Sequence, residues 1–146
     1  MTDEIIIREF NDTDIPEMAN LMIELGYPTT STEMVERINN FRTNPDYKTL
    51  VAERNNKIIG VIGMMKLYFW EQNKWYVKIQ ALVVKQTVRK HGVGELLIKS
   101  SEVWAKEIGA ICIALNCGNK AERSEAHKFY PKMGFQHKSS GYIKFI

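Results

Sequence analysis

The feature that most constrains this chain is its middle, where three β-rich runs follow one another with only turns between them. Residues 49–53 and 58–67 flank Asn55-Asn56, a pair suited to a tight turn. A second hairpin has its tip near Glu71, Gln72, Asn73 and Lys74, and its return strand covers about 75–84, ending in Ala81, Leu82, Val83 and Val84. Runs this close pair antiparallel, because a parallel return needs a crossover of about a dozen residues or more. A sheet therefore stands at the centre of the fold.

Helical patterns lie on both sides of it. Residues 5–10, rich in isoleucine, read as a first strand. Asp14, with Glu17 three residues on, reads as a capping box opening a helix whose stripe is Ile15, Met18, Ala19, Met22 and Leu25, closed by Gly26 and Pro28. A second helix begins near Ser31 or Thr32, carries Met34, Ile38 and Phe41 on one face, and is stopped by Asn44-Pro45. Beyond the sheet, residues 92–108 read as a helix with Val93, Leu96, Leu97, Ser100 and Trp104 on one face and Gly109 at its end. Residues 111–115 read as a buried strand. Residues 121–133 read as a last helix turning Ala126, Phe129, Tyr130 and Met133 inward, and 135–146 as a terminal strand. The expected architecture is α+β (mixed α/β), one domain over 1–146, with a twisted central mixed sheet flanked by about four helices.

Composition narrows the partners. A net charge of +3 without any basic run gives little support for nucleic acid, whereas phosphate groups of a cofactor would satisfy the same bias. No stretch is long enough to span a bilayer, and the first residues lack the pattern of an export signal. Two cysteines, Cys112 and Cys117, form neither a disulfide framework nor a metal pattern, which fits a reducing cytoplasm. His91 and His137 have no companion at ligand spacing, so no metal is expected.

Chemistry is concentrated where Ala81 to Val84 gives way to Arg89, Lys90, His91, Gly92, Val93 and Gly94. A loop of this kind ahead of a helix offers unpaired backbone N–H groups and the positive end of the helix dipole, and two glycines admit a diphosphate closely. Leu97 stands where a dinucleotide fingerprint needs its third glycine, and Lys99-Ser100 lacks the glycine of a Walker loop. A glycine turn that merely starts a helix has the same spacing.

The run Leu82, Val83, Val84, then five residues, then Lys90-His91-Gly92-Val93-Gly94 and an amphipathic helix resembles the acetyl-coenzyme A motif of the Gcn5-related N-acetyltransferase (GNAT) family, with Arg89, Gly92 and Gly94 in its three defining places. Phe129-Tyr130, three residues, and Gly134-Phe135 resemble that family's later motif. Arg123, Ala126, His127, Phe129 and Tyr130, together with the segments 44–47, 59–63 and 79–80, resemble the subgroup that includes aminoalkylphosphonate N-acetyltransferases.

The resemblance implies an acetyl-CoA-dependent N-acetyltransferase acting on a primary amine by direct attack on the thioester. Gly92 and Gly94, with the backbone of Lys90, His91 and Val93, would hold the pyrophosphate, and Arg89 and Lys90 would add charge. The backbone of Leu82, Val83 and Val84 would pair with the pantetheine arm, and one N–H there would face the thioester carbonyl. Tyr130 matches the tyrosine that protonates the departing thiolate. Arg123 takes the place of an asparagine that touches the coenzyme in many members. In the subgroup, the position before Leu82 is often a glutamate that serves as base or metal ligand; here it is Ala81, which puts a phosphonate substrate and a metal in doubt.

A base matters, because an alkylamine is only about one part in two thousand neutral at pH 7, a cost of roughly 4–5 kcal/mol. The candidates are water held by Gln80, His127 and Glu24. Tyr68, Phe69, Trp70, Trp75 and Tyr76 read as core or homodimer contact in preference to an aromatic cage, and Lys66, Lys74 and Lys78 as a wet strand face or a seat for an anionic acceptor. The expected acceptor is a small molecule. A silent acyl-CoA sensor or interaction module is the alternative, distinguished by coenzyme binding without acetylation.

Overall fold

The computed structural model describes residues 4–89, 91–117 and 124–146. The chain forms two compact units, Met1–Ala114 and Leu115–Ile146. In the first, strand β1 (Ile6–Glu9) is followed by helices α1 (Ile15–Leu25) and α2 (Ser31–Asn39), then by strands β2 (Tyr47–Arg54), β3 (Lys57–Tyr68) and β4 (Trp75–Val84), and by helix α3 (Val93–Glu107). The boundary falls within strand β5 (Ile113–Leu115), and helix α4 (Ser124–Lys132) belongs to the second unit.

The sheet order is β1-β2-β3-β4-β5, with the first three pairings antiparallel. The Ile111 N–H donates to the Trp75 carbonyl and the Val77 N–H to that of Cys112, so β4 and the chain entering β5 ascend together and the sheet is mixed. Asn55 and Asn56 both take positive φ, 51° and 63°, as the β2–β3 turn demands. This meander was legible because loop length and turn chemistry both fix it.

One face of the sheet carries a core of Ile15, Met18, Met22, Met34 and Ile38 from α1 and α2 against Val51, Val61 and Val83. On the other face α3 approaches so closely that a Cβ on Gly60 would lie 3.1 Å from both Leu97 Cδ1 and Val93 Cγ1. The buried stripe of α3 is Val93, Leu97, Ile98, Ser101, Trp104 and Ala105. The expected stripe was thus right at Val93, Leu97 and Trp104 but placed Leu96 and Ser100 inward, whereas Leu96 is exposed and Ser100 half-buried. A helix lying flat on a sheet buries a wider arc than a narrow seam.

Three further expectations are corrected. The cap before α1 is a box formed by Asn11 and Asp14: Asn11 accepts from the Thr13 N–H and Asp14 from the Asn11 N–H at 2.8 Å. Glu17 instead accepts from the Ile58 N–H at 2.9 Å, tying α1 to the start of β3. The strand expected over 111–115 is shorter and half-buried, as befits a sheet edge. Residues 135–146 form no strand.

Asp14 is 5 % exposed and receives a two-pronged ion pair from Arg8, at 2.7 and 3.0 Å, which also reaches Glu53 at 3.3 Å. The Arg8 hydrogen bonds hold the Asp14 carboxyl below the usual carboxylate range against the opposing effect of burial, and the same bonds raise the Arg8 pKa further. This network clamps β1, β2 and the entry to α1 together.

Candidate active site

The site begins with an irregularity in β4. Opposite β3, Gly63 pairs with Ala81 but Met64 pairs with Ile79, so Gln80 is an extra, exposed residue. Such a bulge bends the strand and adds twist. Beyond it Leu82, Val83 and Val84 pair with Ile62, Val61 and Gly60. Val83 points into the α1–α2 core, while Leu82 and Val84 are half-buried. Since β5 is three residues long beside a ten-residue β4, and its approach starts at Trp75, the end of β4 runs past it with one edge unpaired by β5. An unpaired strand edge presents N–H and C=O groups to an extended ligand.

The chain leaving β4 is pinned by its own backbone. The Lys85 N–H donates to the Ile59 carbonyl at 2.8 Å, a single 3₁₀ turn covers Gln86–Val88, and Val88 is buried. Arg89 extends back along this turn, its Nε donating to the Val84 carbonyl at 3.1 Å. The strand end and the loop are therefore held as one piece. Glu24 at the end of α1 accepts from the Gln86 N–H at 2.8 Å, so this base candidate serves as the tether of the turn.

At the start of α3, Gly92 is the cap residue in the left-handed region (φ 84°), a conformation that side chains rarely adopt. Among the described residues no side chain caps this helix end, and the first helical hydrogen bond runs from Leu96 N–H to the Gly92 carbonyl. The N–H groups of Val93, Gly94 and Glu95 thus precede the helical ladder and are left for an anion. Among the described residues a Cβ on Gly92 would meet nothing within 4 Å. His91 is exposed, Gly94 half-buried, and Val93 buried as the helix anchor. Of the residues expected to bind the coenzyme, Leu82, Val83, Val84, Arg89, His91, Gly92, Val93 and Gly94 form this continuous edge and loop; Lys90 and Arg123 lie outside the described residues.

In the second unit, Tyr130 lies on α4, half-buried, in edge contacts with Phe129 (5.5 Å between ring centres) and Phe135 (5.8 Å). The Phe135 N–H donates to the Tyr130 carbonyl at 3.1 Å, closing the helix after Gly134 at φ 93°. That closure fixes the tyrosine ring between two phenylalanines. His127 is exposed on the same helix.

The aromatic hairpin is occupied by the chain's own cation: Lys66 Nζ lies 4.4 Å from the Trp75 ring centre and 4.9 Å from that of Tyr68. Those two rings are engaged internally rather than left as a cage for an external cation. A cavity of about 210 Å³ lined by Glu9, Phe10, Phe41, Arg42, Tyr47, Lys48 and Thr49 sits at the β1–β2 end. Its two cations are already paired, Arg42 with Asp12 and Lys48 with Glu9. It lies at the start of β2, away from the loop that carries the anion-binding groups.

Sequence reasoning did not assign roles to Gly60 or the Glu24 tether. A glycine inside an apolar strand is a signal of close backbone approach, and Gly60 carried it.

Residues 15–135 match the model of the acetyltransferase (GNAT) family. The chain is 29% identical to an aminoalkylphosphonate N-acetyltransferase of Salmonella typhimurium over 93 residues, 64% of this chain. It is 25% identical to a probable glucosamine 6-phosphate N-acetyltransferase of Drosophila melanogaster over 135 residues, 88% of this chain. The matches span 59% of the length of each of these curated relatives. A crystal structure of a GNAT family acetyltransferase from Staphylococcus aureus superposes with a TM-score of 0.83 at 33% identity, covering 97% of this chain and 98% of that one. With its mixed sheet, bulged fourth strand and glycine-led third helix, this chain belongs to the acetyltransferase (GNAT) family.

Proposed function

We propose that residues 1–146 form one N-acetyltransferase domain that moves the acetyl group of acetyl-CoA to a primary amine of a small molecule. The observation that carries this reading is the continuity of the open β4 edge with the Gly92-led loop. An edge suited to an extended arm and a helix start suited to a diphosphate follow one another in the chain, as a single ligand bearing both would need.

In this reading the N–H groups of Gly92, Val93 and Gly94, with Lys90 and His91, hold the pyrophosphate, and Arg89, Lys90 and Arg123 supply positive charge. The edge of Leu82 to Val84 aligns the pantetheine arm and directs an N–H at the thioester carbonyl, which favours charge on its oxygen as the amine adds. The amine nitrogen bonds to the carbonyl carbon, the carbon–sulfur bond breaks, and the Tyr130 hydroxyl gives its proton to the leaving sulfur. No carboxylate stands at Ala81, so the proton of the amine leaves through water near Gln80 or to bulk solvent, and the Tyr130 oxygen takes one proton back from solvent to close the cycle.

The acceptor class is drawn from two relatives whose names specify amines bearing a phosphonate or a phosphate. A small anionic amine also suits the lysines of the β3–β4 region, Lys74 and Lys78, beside Lys66, which lies over the Tyr68 and Trp75 rings. The test is release of free thiol from acetyl-CoA with aminoalkyl phosphonates, hexosamine phosphates, polyamines, aminoglycosides and lysine peptides. Turnover on the phosphonates or phosphates at least about tenfold above the peptides in kcat/KM is expected. Preference for peptides refutes the small acceptor, and coenzyme binding without thiol release on any amine refutes the transferase reading.

A further inference from the structure

Helix α1 meets the sheet with two carboxylates as well as with its apolar stripe. Glu17 and Glu24 stand two helical turns apart and so on one side of the helix. Among the described residues neither forms an ion pair. Glu17 accepts from the Ile58 N–H at 2.9 Å and Glu24 from the Gln86 N–H at 2.8 Å. A carboxylate on a backbone amide is a charge-assisted bond, and it fixes main chain rather than the end of a long side chain.

The second of these bonds falls on the stretch that joins β4 to the glycine loop. The other hydrogen bonds of this stretch lie in the sheet or within the stretch itself: Lys85 N–H to the Ile59 carbonyl, Val88 N–H to the Lys85 carbonyl, Arg89 Nε to the Val84 carbonyl, and a long bond of 3.3 Å from the Arg89 N–H to the Gln86 carbonyl. Among the described residues Glu24 is the one side chain from outside the stretch that hydrogen-bonds to it. Gln86 opens the single 3₁₀ turn, whose cap residue Lys85 offers it no side-chain bond. A turn this short has little stability of its own. Helix α1 packs on one face of the sheet and α3 on the other, and Glu24 carries the hold of the first across to the loop that starts the second.

Resting on the coenzyme site inferred above, we propose that Glu24 is a positioning residue for acetyl-CoA: its carboxylate keeps the 86–88 turn in the geometry from which residues 89–94 meet the diphosphate, and it takes no part in moving the proton of the amine. A loop free to leave its binding geometry binds in proportion to the time it spends there. Glu24 and Gln86 are both exposed, so without the bond the amide turns to water and the fold barely notices, whereas the loop loses its brace. Loss of an exposed charge-assisted bond is expected to leave the turn in place about a tenth of the time, which weakens the coenzyme about 5- to 20-fold. Charge alone predicts the opposite sign, because taking a carboxylate from beside an anionic ligand tightens its binding. Glutamine separates the two effects, since its amide oxygen accepts the same bond without the charge.

The experiment is isothermal titration of acetyl-CoA into the parent chain, Glu24→Ala and Glu24→Gln, with melting curves and hydrogen exchange on the same proteins. Glu24→Ala is expected to bind about 5- to 20-fold more weakly and Glu24→Gln within about threefold of the parent, with all melting temperatures within about 2 °C. Amides 86, 88 and 89 should exchange faster in the alanine variant alone. Thiol release with whichever amine of the panel the parent acetylates best should split in the same way: KM for acetyl-CoA rises in Glu24→Ala, while kcat at saturating coenzyme and its pH profile hold in both variants. A Glu24→Ala protein that binds acetyl-CoA as tightly as the parent, or more tightly, overturns the tether and leaves the coenzyme site standing. So does a Glu24→Gln protein as weak as the alanine variant, or one that binds normally yet loses about a hundredfold in kcat, which would make Glu24 the base. A parent chain that binds no acetyl-CoA overturns the coenzyme site itself, and the tether with it.

Discussion

Replacing Gly60 by alanine adds one methyl group where its neighbours would have to give by a few tenths of an ångström. The new Cβ would stand 3.1 Å from Leu97 Cδ1, 3.1 Å from Val93 Cγ1 and 3.2 Å from the Val83 carbonyl oxygen. Leu97 is fully buried and Val93 is β-branched with a restricted χ1, so neither turns aside freely. The helix start must lift instead. Overpacking of this kind costs about 1–3 kcal/mol, which for a chain of this size lowers Tm by roughly 3–10 °C. The displacement falls on the turn that presents the Gly92, Val93 and Gly94 N–H groups, so acetyl-CoA affinity should fall about 3- to 30-fold with it. Gly63→Ala is the matched control on the same strand, because its Cβ would meet only Ala81 Cβ at 3.9 Å, an ordinary contact. Scanning calorimetry and isothermal titration on both variants read the two effects. Equal melting temperatures and equal affinities for Gly60→Ala and the parent chain would refute the claim that α3 is seated on that glycine.

Asp14→Asn should destabilise the fold by about 2–3 kcal/mol, less than a fully buried pair because the Arg8 side chain is 28% exposed. Since the folded-state pKa of Asp14 is depressed, its contribution is complete above the ordinary carboxylate range and lost as pH falls through the folded value. Urea melts should therefore show a gap between parent and variant that is full near neutrality and closes in acid; a constant gap would count against the ion pair. Tyr130→Phe, which removes only the hydroxyl, should lower turnover by about 10²- to 10⁴-fold with coenzyme affinity nearly intact, whereas equal rates assign the ring to packing. With Ala81 in place of a carboxylate, activity should climb from about pH 7 to 9 as neutral amine accumulates, and a flat profile would reveal an unrecognised base.

The parts of the molecule that were legible in the sequence are those fixed locally. Asn55-Asn56 set the first hairpin, Gly26 and Gly134 the ends of their helices with φ of 101° and 93°, and Gly92 the start of α3. What the sequence concealed depends on partners far along the chain. Asp14 and Glu17 have the spacing of a capping box, but Arg8 draws Asp14 towards Asn11, and Glu17 is taken by the Ile58 N–H, 41 residues away. Glu24, a base candidate in the sequence, accepts from the Gln86 N–H, 62 residues away, a partner that local spacing does not reveal. Residues 135–146 have strand composition and no strand, because composition specifies what a segment pairs well with and not where its partner is.

If the loop of residues 89–94 seats the diphosphate of acetyl-CoA, titration calorimetry of acetyl-CoA into the parent chain and into Gly94→Val will show it. Binding in the micromolar range, roughly −7 to −8 kcal/mol, is expected for the parent chain, with a loss of at least about a hundredfold when a branched side chain stands where the backbone must meet phosphate. Circular dichroism and the melting curve establish that the variant is folded. A folded Gly94→Val protein that binds acetyl-CoA as tightly as the parent would place the diphosphate elsewhere.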